Sequence, residues 1–249
     1  METRIEYDSM GPVEVDARRI YGPQTQRSFN NFKIGDHRIP IEQIKALALV
    51  KKACALTNAK CGAVTEEKAK LIAQVVDEIV DGKWDDEFPL TVFQTGSGTQ
   101  TNMNVNEVIA HRAKQLDESN PLHPNDDVNR GQSTNDTFPT AMHICAYFEI
   151  TKRVIPALDG LIASFEKLQE KGSNLVFVLG HKEYYPKYGF IPDANHLGYP
   201  APYPILEEYS DYWMVQPISP KGFEIGKGKI KCSEELNKPE HWRNEESDR

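Results

Sequence analysis

Gln94-Thr95-Gly96-Ser97-Gly98-Thr99-Gln100-Thr101-Asn102 interrupts a helix-rich run of sequence with small, uncharged hydrogen-bonding residues. Two later stretches do the same: His123-Pro124-Asn125-Asp126-Asp127, and Gly131-Gln132-Ser133-Thr134-Asn135-Asp136-Thr137. Each lies ahead of a helical pattern, so backbone N–H groups at a helix start join the side-chain donors. Hydroxyl and amide donors with no lysine beside them in the sequence suit a carboxylate in a desolvated site, or a dianion whose charge grows during reaction. Helix caps and turns draw on the same residue types, so any one of these loops alone would read as structural. Gly96-Ser97-Gly98 is not a nucleotide loop: position 101 is Thr where the dinucleotide fingerprint has a third glycine, and no Gly-Lys pair follows.

The helices around these loops follow from periodicity and punctuation. Apolar residues at helical spacing run over Ile41–Lys60, with Gly62 placed for a left-handed cap. Thr65 is positioned to cap the next helix, Glu66 and Glu67 favour its positive end, and Gly82 closes it. Residues 104–115 and 138–151 read as further helices, with Pro139 in a first turn. Pro156 kinks the line or starts a new helix, which runs to Lys171 and stops at Gly172. Strand signals before Gly172 are short.

Beyond Gly172 the composition changes. Twelve of the 23 aromatic residues and eight of the 16 prolines fall in residues 173–249, less than a third of the chain, which favours short strands and turns and places a boundary there. The 249 residues hold enough chain for one large or two ordinary domains. A formal net charge of −8 gives no reason to expect nucleic acid or an anionic membrane as partner. No apolar run approaches the roughly 20 residues of a membrane span, and the polar start (Met1-Glu2-Thr3-Arg4) leads us to expect no secretory leader. Cys54, Cys61, Cys145 and Cys232 form neither a CxxC pair nor a zinc spacing and read as free thiols in a reducing cytoplasm. Asp126-Asp127 has no matching metal-ligand set, and His111 and His143, on helices, read as structural.

Together the loops resemble one family. Thr95-Gly96-Ser97-Gly98-Thr99-Gln100 with Asn102-Met103-Asn104-Val105-Asn106-Glu107 resembles the first signature of class II fumarases. The segments 123–129 (HPNDDVN) and 131–143 (GQSTNDTFPTAMH) resemble the second, and Tyr21-Gly22-Pro23-Gln24-Thr25-Gln26-Arg27 with Asn30-Asn31-Phe32 is similar to the family's N-terminal segment. The resemblance implies a mainly α region over residues 1–172, comprising a fumarase/aspartase-like N-terminal domain and the start of a central helical bundle. It implies that Ser97, Gly98 and Thr99 hold a substrate carboxylate and that Ser133, Thr134 and Asn135 grip a carboxylate in the active site. His123, Pro124, Asn125 and Asp126 would form a second, nearby dicarboxylate site. The implied reaction is reversible hydration of fumarate to malate, with no metal or other cofactor and, in the family, a homotetramer. Aspartase, an ammonia-lyase, shares the GQSTND wording; Gln100 and the run from Phe138 to His143 favour fumarase.

The family's Thr-His pair and its Gly-Ser-Ser loop, which carries the catalytic serine, have no counterpart here, so no catalytic residue is assigned and the chain is expected to be truncated and weakly active or inactive alone. Val178-Leu179-Gly180-His181, Tyr184-Tyr185 and Tyr188-Gly189-Phe190 resemble instead the C-terminal part of a GNAT-fold N-acetyltransferase. That second resemblance implies a small α+β piece over residues 173–249, a strand at 175–179, a short helix at 183–188, and Tyr185 in the place of a general acid near acetyl-CoA. The chain then reads as two incomplete pieces joined near Gly172, a chimera whose tail need carry no activity.

Overall fold

The computed structural model describes residues 2–95, 98–224, 226–234 and 238. It divides into two compact units, Met1–Val154 and Ile155–Arg249.

The first unit opens with a hairpin of β1 (Thr3–Asp8) and β2 (Gly11–Asp16), antiparallel with Thr3 opposite Asp16 and Asp8 opposite Gly11. Arg4 of β1 donates to the carbonyls of Asp16, Arg19 and Tyr21, and Arg27 holds the Asp8 carboxylate at 2.8 Å. The hairpin is thereby clamped to helix α1 (Pro23–Asn31).

Four longer helices follow. In α2 (Ile41–Lys60), apolar side chains cover enough of the circumference for the helix to pack on both α3 (Glu66–Val80) and α5 (Thr134–Glu149). Gly62, at φ +72°, ends α2 in the left-handed conformation that glycine adopts without steric cost. Thr65 caps α3 by accepting from the Lys68 N–H at 3.3 Å. The core joins Ile44, Leu47 and Ala48 of α2 to Ile72, Val75, Val76 and Ile79 of α3 and to Val105, Val108 and Ile109 of α4 (Thr99–Leu116).

Two helix starts lie upstream of their sequence-based positions. α4 begins at Thr99 rather than 104, because Gly98 (φ +71°) turns the chain into the helix and the polar first turn stays hydrogen-bonded to Gln94. α5 begins at Thr134 rather than 138: the Ser133 hydroxyl accepts from the Asn135 N–H at 3.3 Å and caps it. Pro139 therefore sits inside α5, in its second turn rather than its first.

A π-helical turn, Ile150–Val154, ends the first unit, consistent with Pro156 lacking the N–H that an α-helical ladder would need there. The second unit starts with α6 (Ile155–Glu170), and Gly172 (φ +90°) follows it. Strands β3 (Leu175–Leu179) and β4 (Trp213–Pro217) pair antiparallel, Leu175 opposite Pro217 and Leu179 opposite Trp213. Phe177 stacks on Trp213 with centroids 5.4 Å apart, and Tyr199, Ala194 and Val215 complete a small core. The expected helix at 183–188 is a single 3-10 turn, Tyr185–Tyr188.

Candidate functional site

The N-terminal ends of α4 and α5 meet in the first unit. Gly98 is buried, and a Cβ on it would lie 2.6 Å from the Phe138 ring. Only a glycine allows the loop before α4 to approach the second turn of α5 this closely, and its positive φ makes the same demand. Thr99 opens α4 and is half-buried; Ser133 and Asn135 are exposed at the start of α5, with Thr134 half-buried between them. Hydroxyl and amide donors of two loops thus stand at two adjoining helix N-termini, where aligned backbone dipoles favour negative charge. Ser97 and Gly96 lie outside the described residues.

The segment 123–129 forms a five-residue π-helical turn, Pro124–Val128, rather than a conventional helix start. The His123 ring nitrogen Nδ1 accepts from the Asp126 N–H at 3.1 Å, and the Asp127 carboxylate accepts from the His123 N–H at 2.8 Å. Lys68 of α3 holds Asp127 from the other side, at 2.8 Å. His123, Asn125 and Asp126 remain exposed, and Pro124 is half-buried. Among the described residues, no group of three His, Cys, Asp or Glu side chains could hold a metal ion.

A buried hydrogen-bond cluster underlies both loops. Lys51 of α2 is completely buried, and its Nζ donates to Asn129 Oδ1 at 2.7 Å and Gln132 Oε1 at 2.9 Å. Asn129 Oδ1 also accepts from Asn102 Nδ2 of α4 at 3.1 Å. Gln132 Nε2 donates to the Val128 carbonyl, and Asn129 Nδ2 to the Gln132 carbonyl. α2, α4 and the segment joining the second loop to the third are therefore tied at one point. Burial lowers Lys51 from the usual lysine range to about 7. Lys51 lies 43 residues before Gln94, where the first of these loops begins, so sequence proximity does not connect it with them. The available signal was helical phase: Ile44, Leu47, Ala48, Lys51 and Ala55 share the buried face of α2.

α4 is also fixed at its middle. Glu107, 2% exposed, accepts from the N–H groups of Gly22, Gln24 and Thr25 and from the Thr25 hydroxyl. Burial pushes its carboxyl above the ordinary value, and the four donors offset part of that effect. His111, one turn on, lies 3.0 Å from the Ile20 carbonyl, and burial lowers its pKa. His143 is exposed on α5.

In the second unit Tyr185 packs its ring over Gly180 and against Phe190, with ring centroids 5.6 Å apart.

The family described as "Lyase" matches residues 11–179. The chain belongs to that lyase family. Class II fumarate hydratase of Bacillus subtilis strain 168 is 49% identical over 180 residues, 71% of this lyase chain and 39% of the relative. That of Thermus thermophilus is 56% identical over 172 residues, 66% of this chain and 37% of the relative. That of Neisseria meningitidis is 46% identical over 85% of this chain, a span that cannot fit within residues 1–172. Among solved structures, a class II fumarase from Schistosoma mansoni aligns with TM-score 0.66 and 40% identity, covering 72% of this chain and 39% of the other. The lyase chain spans roughly two fifths of the length of these relatives.

Proposed function

We propose that the first unit carries the dicarboxylate-gripping part of a fumarate hydratase-type lyase. The observation that supports this reading is the contact of Gly98 with the Phe138 ring, which brings the loop before α4 against α5, the helix that Ser133 caps. In it, Ser97 and Thr99 hold one carboxylate, Ser133, Thr134 and Asn135 grip a carboxylate at the reacting end, and His123, Pro124, Asn125 and Asp126 form a nearby second site. The reaction is addition of water across the double bond of fumarate, giving malate. Starting from malate, in the reverse direction, a base removes the C3 proton, the electron pair moves into the adjacent carboxylate as an enediolate dianion, and hydroxide leaves C2 to give fumarate. Neutral donors at helix starts stabilise that growing charge. The class II fumarate hydratase relatives favour this reading over an ammonia-lyase.

The chain contains no counterpart of the family's Thr-His pair or serine loop, so we propose binding with little turnover by these 249 residues alone. Following loss of fumarate absorbance is the direct assay: a rate matching that of a full-length fumarate hydratase would overturn this. Exposed apolar residues on α5 and the π turn (Met142, Tyr147, Ile150) and on α6 (Leu158, Leu161, Ile162) support further copies of the chain as the partner, in the manner of a tetramer. Light scattering should give a mass above 28.2 kDa, and a monomer at all concentrations would remove the assembly.

For residues 173–249 the acetyltransferase-like reading rests on the order β3, Gly180, then Tyr185 folded over that glycine. The longer matches to fumarate hydratases, which run past residue 172, favour a lyase origin for part of it. An acetyl-CoA-induced rise in melting temperature, lost in Tyr185→Phe, would support the acetyltransferase reading; no rise would remove it.

A further inference from the structure

Lys51 is the largest fully buried side chain among the described residues, and none of the described carboxylates forms an ion pair with it. Its two acceptors are neutral amides, one on each side of the junction between the second and third loops. A buried ammonium without a carboxylate partner is costly, and an apolar side chain of similar size would fill the same space at lower cost. Gln132, one of the two acceptors, immediately precedes Ser133, the cap of α5. The amine therefore stands beside the candidate carboxylate-gripping segment without being accessible to solvent.

We propose that Lys51 is a positioning residue for anion recognition: by holding Asn129 and Gln132 together it fixes the 123–129 turn against the 131–137 loop and supplies a buried positive charge next to the N-terminus of α5. This rests on the reading of these loops as a dicarboxylate site. An anion bound there favours the charged amine, so ligand binding takes up a proton where the free amine is neutral. With Lys51 lowered to about 7 and the carboxylates of malate or fumarate ionised throughout, affinity is greatest below pH 7 and declines above it. The surrounding ionisable groups do not substitute for Lys51. On α2 itself Cys54 is the one titratable group whose field reaches it, and Lys52 is bound to Asp77 of α3. Asp127 of the π turn is taken by Lys68 of α3, Glu107 and His111 of α4 face residues 20–25, and Glu149 of α5 pairs with Arg153.

The test uses the full chain in two measurements. Amide hydrogen exchange without ligand should show residues 127–132 exchanging about tenfold faster in Lys51→Met, the loss of roughly one net hydrogen bond. Unchanged exchange there overturns the positioning role. Calorimetric titration with malate should give an affinity that falls above pH 7, by at most about tenfold per pH unit and until pH passes the raised pKa of the complex, in the wild type and stays flat in Lys51→Met. Gln132→Glu gives the amine a carboxylate partner, at the cost of the Gln132 donor to the Val128 carbonyl, and should move the onset of that fall to higher pH. A wild-type affinity independent of pH, or an onset unmoved in Gln132→Glu, overturns the inference while leaving the dicarboxylate reading standing. Absence of malate binding at every pH overturns the dicarboxylate reading, and this inference with it.

Discussion

Glu107 and Lys51 are both buried charges, and their surroundings give them opposite tasks. Four donors converge on the Glu107 carboxylate, three of them backbone N–H groups from the entry to α1, so a single side chain of α4 completes the start of another helix. Glu107→Gln keeps the shape but replaces half of the acceptor with a donor. It should lower the unfolding free energy by about 2–3 kcal/mol, read by urea denaturation, and a change below about 0.5 kcal/mol would contradict the account. Lys51 shows the other sign of burial. Its pKa falls on folding to about 7, so between pH 7 and 10.5 the unfolded chain binds more protons and stability rises with pH. Wild type should therefore gain stability relative to Lys51→Met as pH rises from about 7 to 10; a constant difference would show that Lys51 keeps an ordinary pKa. Gly98 carries the contact between the loop before α4 and the Phe138 ring of α5. Gly98→Ala must place a methyl 2.6 Å from Phe138 at positive φ, and it should abolish dicarboxylate binding at a stability cost of about 1–3 kcal/mol.

At the scale of elements, the sequence exposed the helices whose ends carry strong punctuation. α2 runs over Ile41–Lys60 as its periodicity implied, and α3 takes Thr65 as its cap, because Gly62 and Thr65 act locally and need no tertiary partner. The starts of α4 and α5 were less legible. Their first turns are polar, and that polarity is satisfied by Gln94, by the Ser133 cap and by packing against the neighbouring loop, which sequence periodicity does not register. The second loop was readable as a polar interruption but not as a π turn, since its form depends on Lys68 reaching Asp127 from α3. The helix-start positions of the proposed site residues Thr99, Ser133, Thr134 and Asn135 follow from residue type, whereas Lys51 was hidden by sequence distance. Ser133→Ala should cost about 1 kcal/mol through the lost cap, comparable to Thr65→Ala at α3. Only the Ser133 change should also weaken carboxylate binding; equal affinities for both variants would make Ser133 purely structural.

Across the whole molecule, membership of the lyase family rests on residues 11–179, while the relatives that define it are more than twice as long as the matched span. The proposed carboxylate donors at the starts of α4 and α5 lie within the first unit. The central claim is that a C4 dicarboxylate sits where α4 and α5 begin. Amide chemical shifts recorded by NMR during titration with malate test it most directly, with acetate as the single-carboxylate control. The account predicts saturable shifts concentrated at residues 98–102 and 133–137 with malate and much weaker ones with acetate. Shifts scattered over the surface, or equal responses to the two acids, would contradict it.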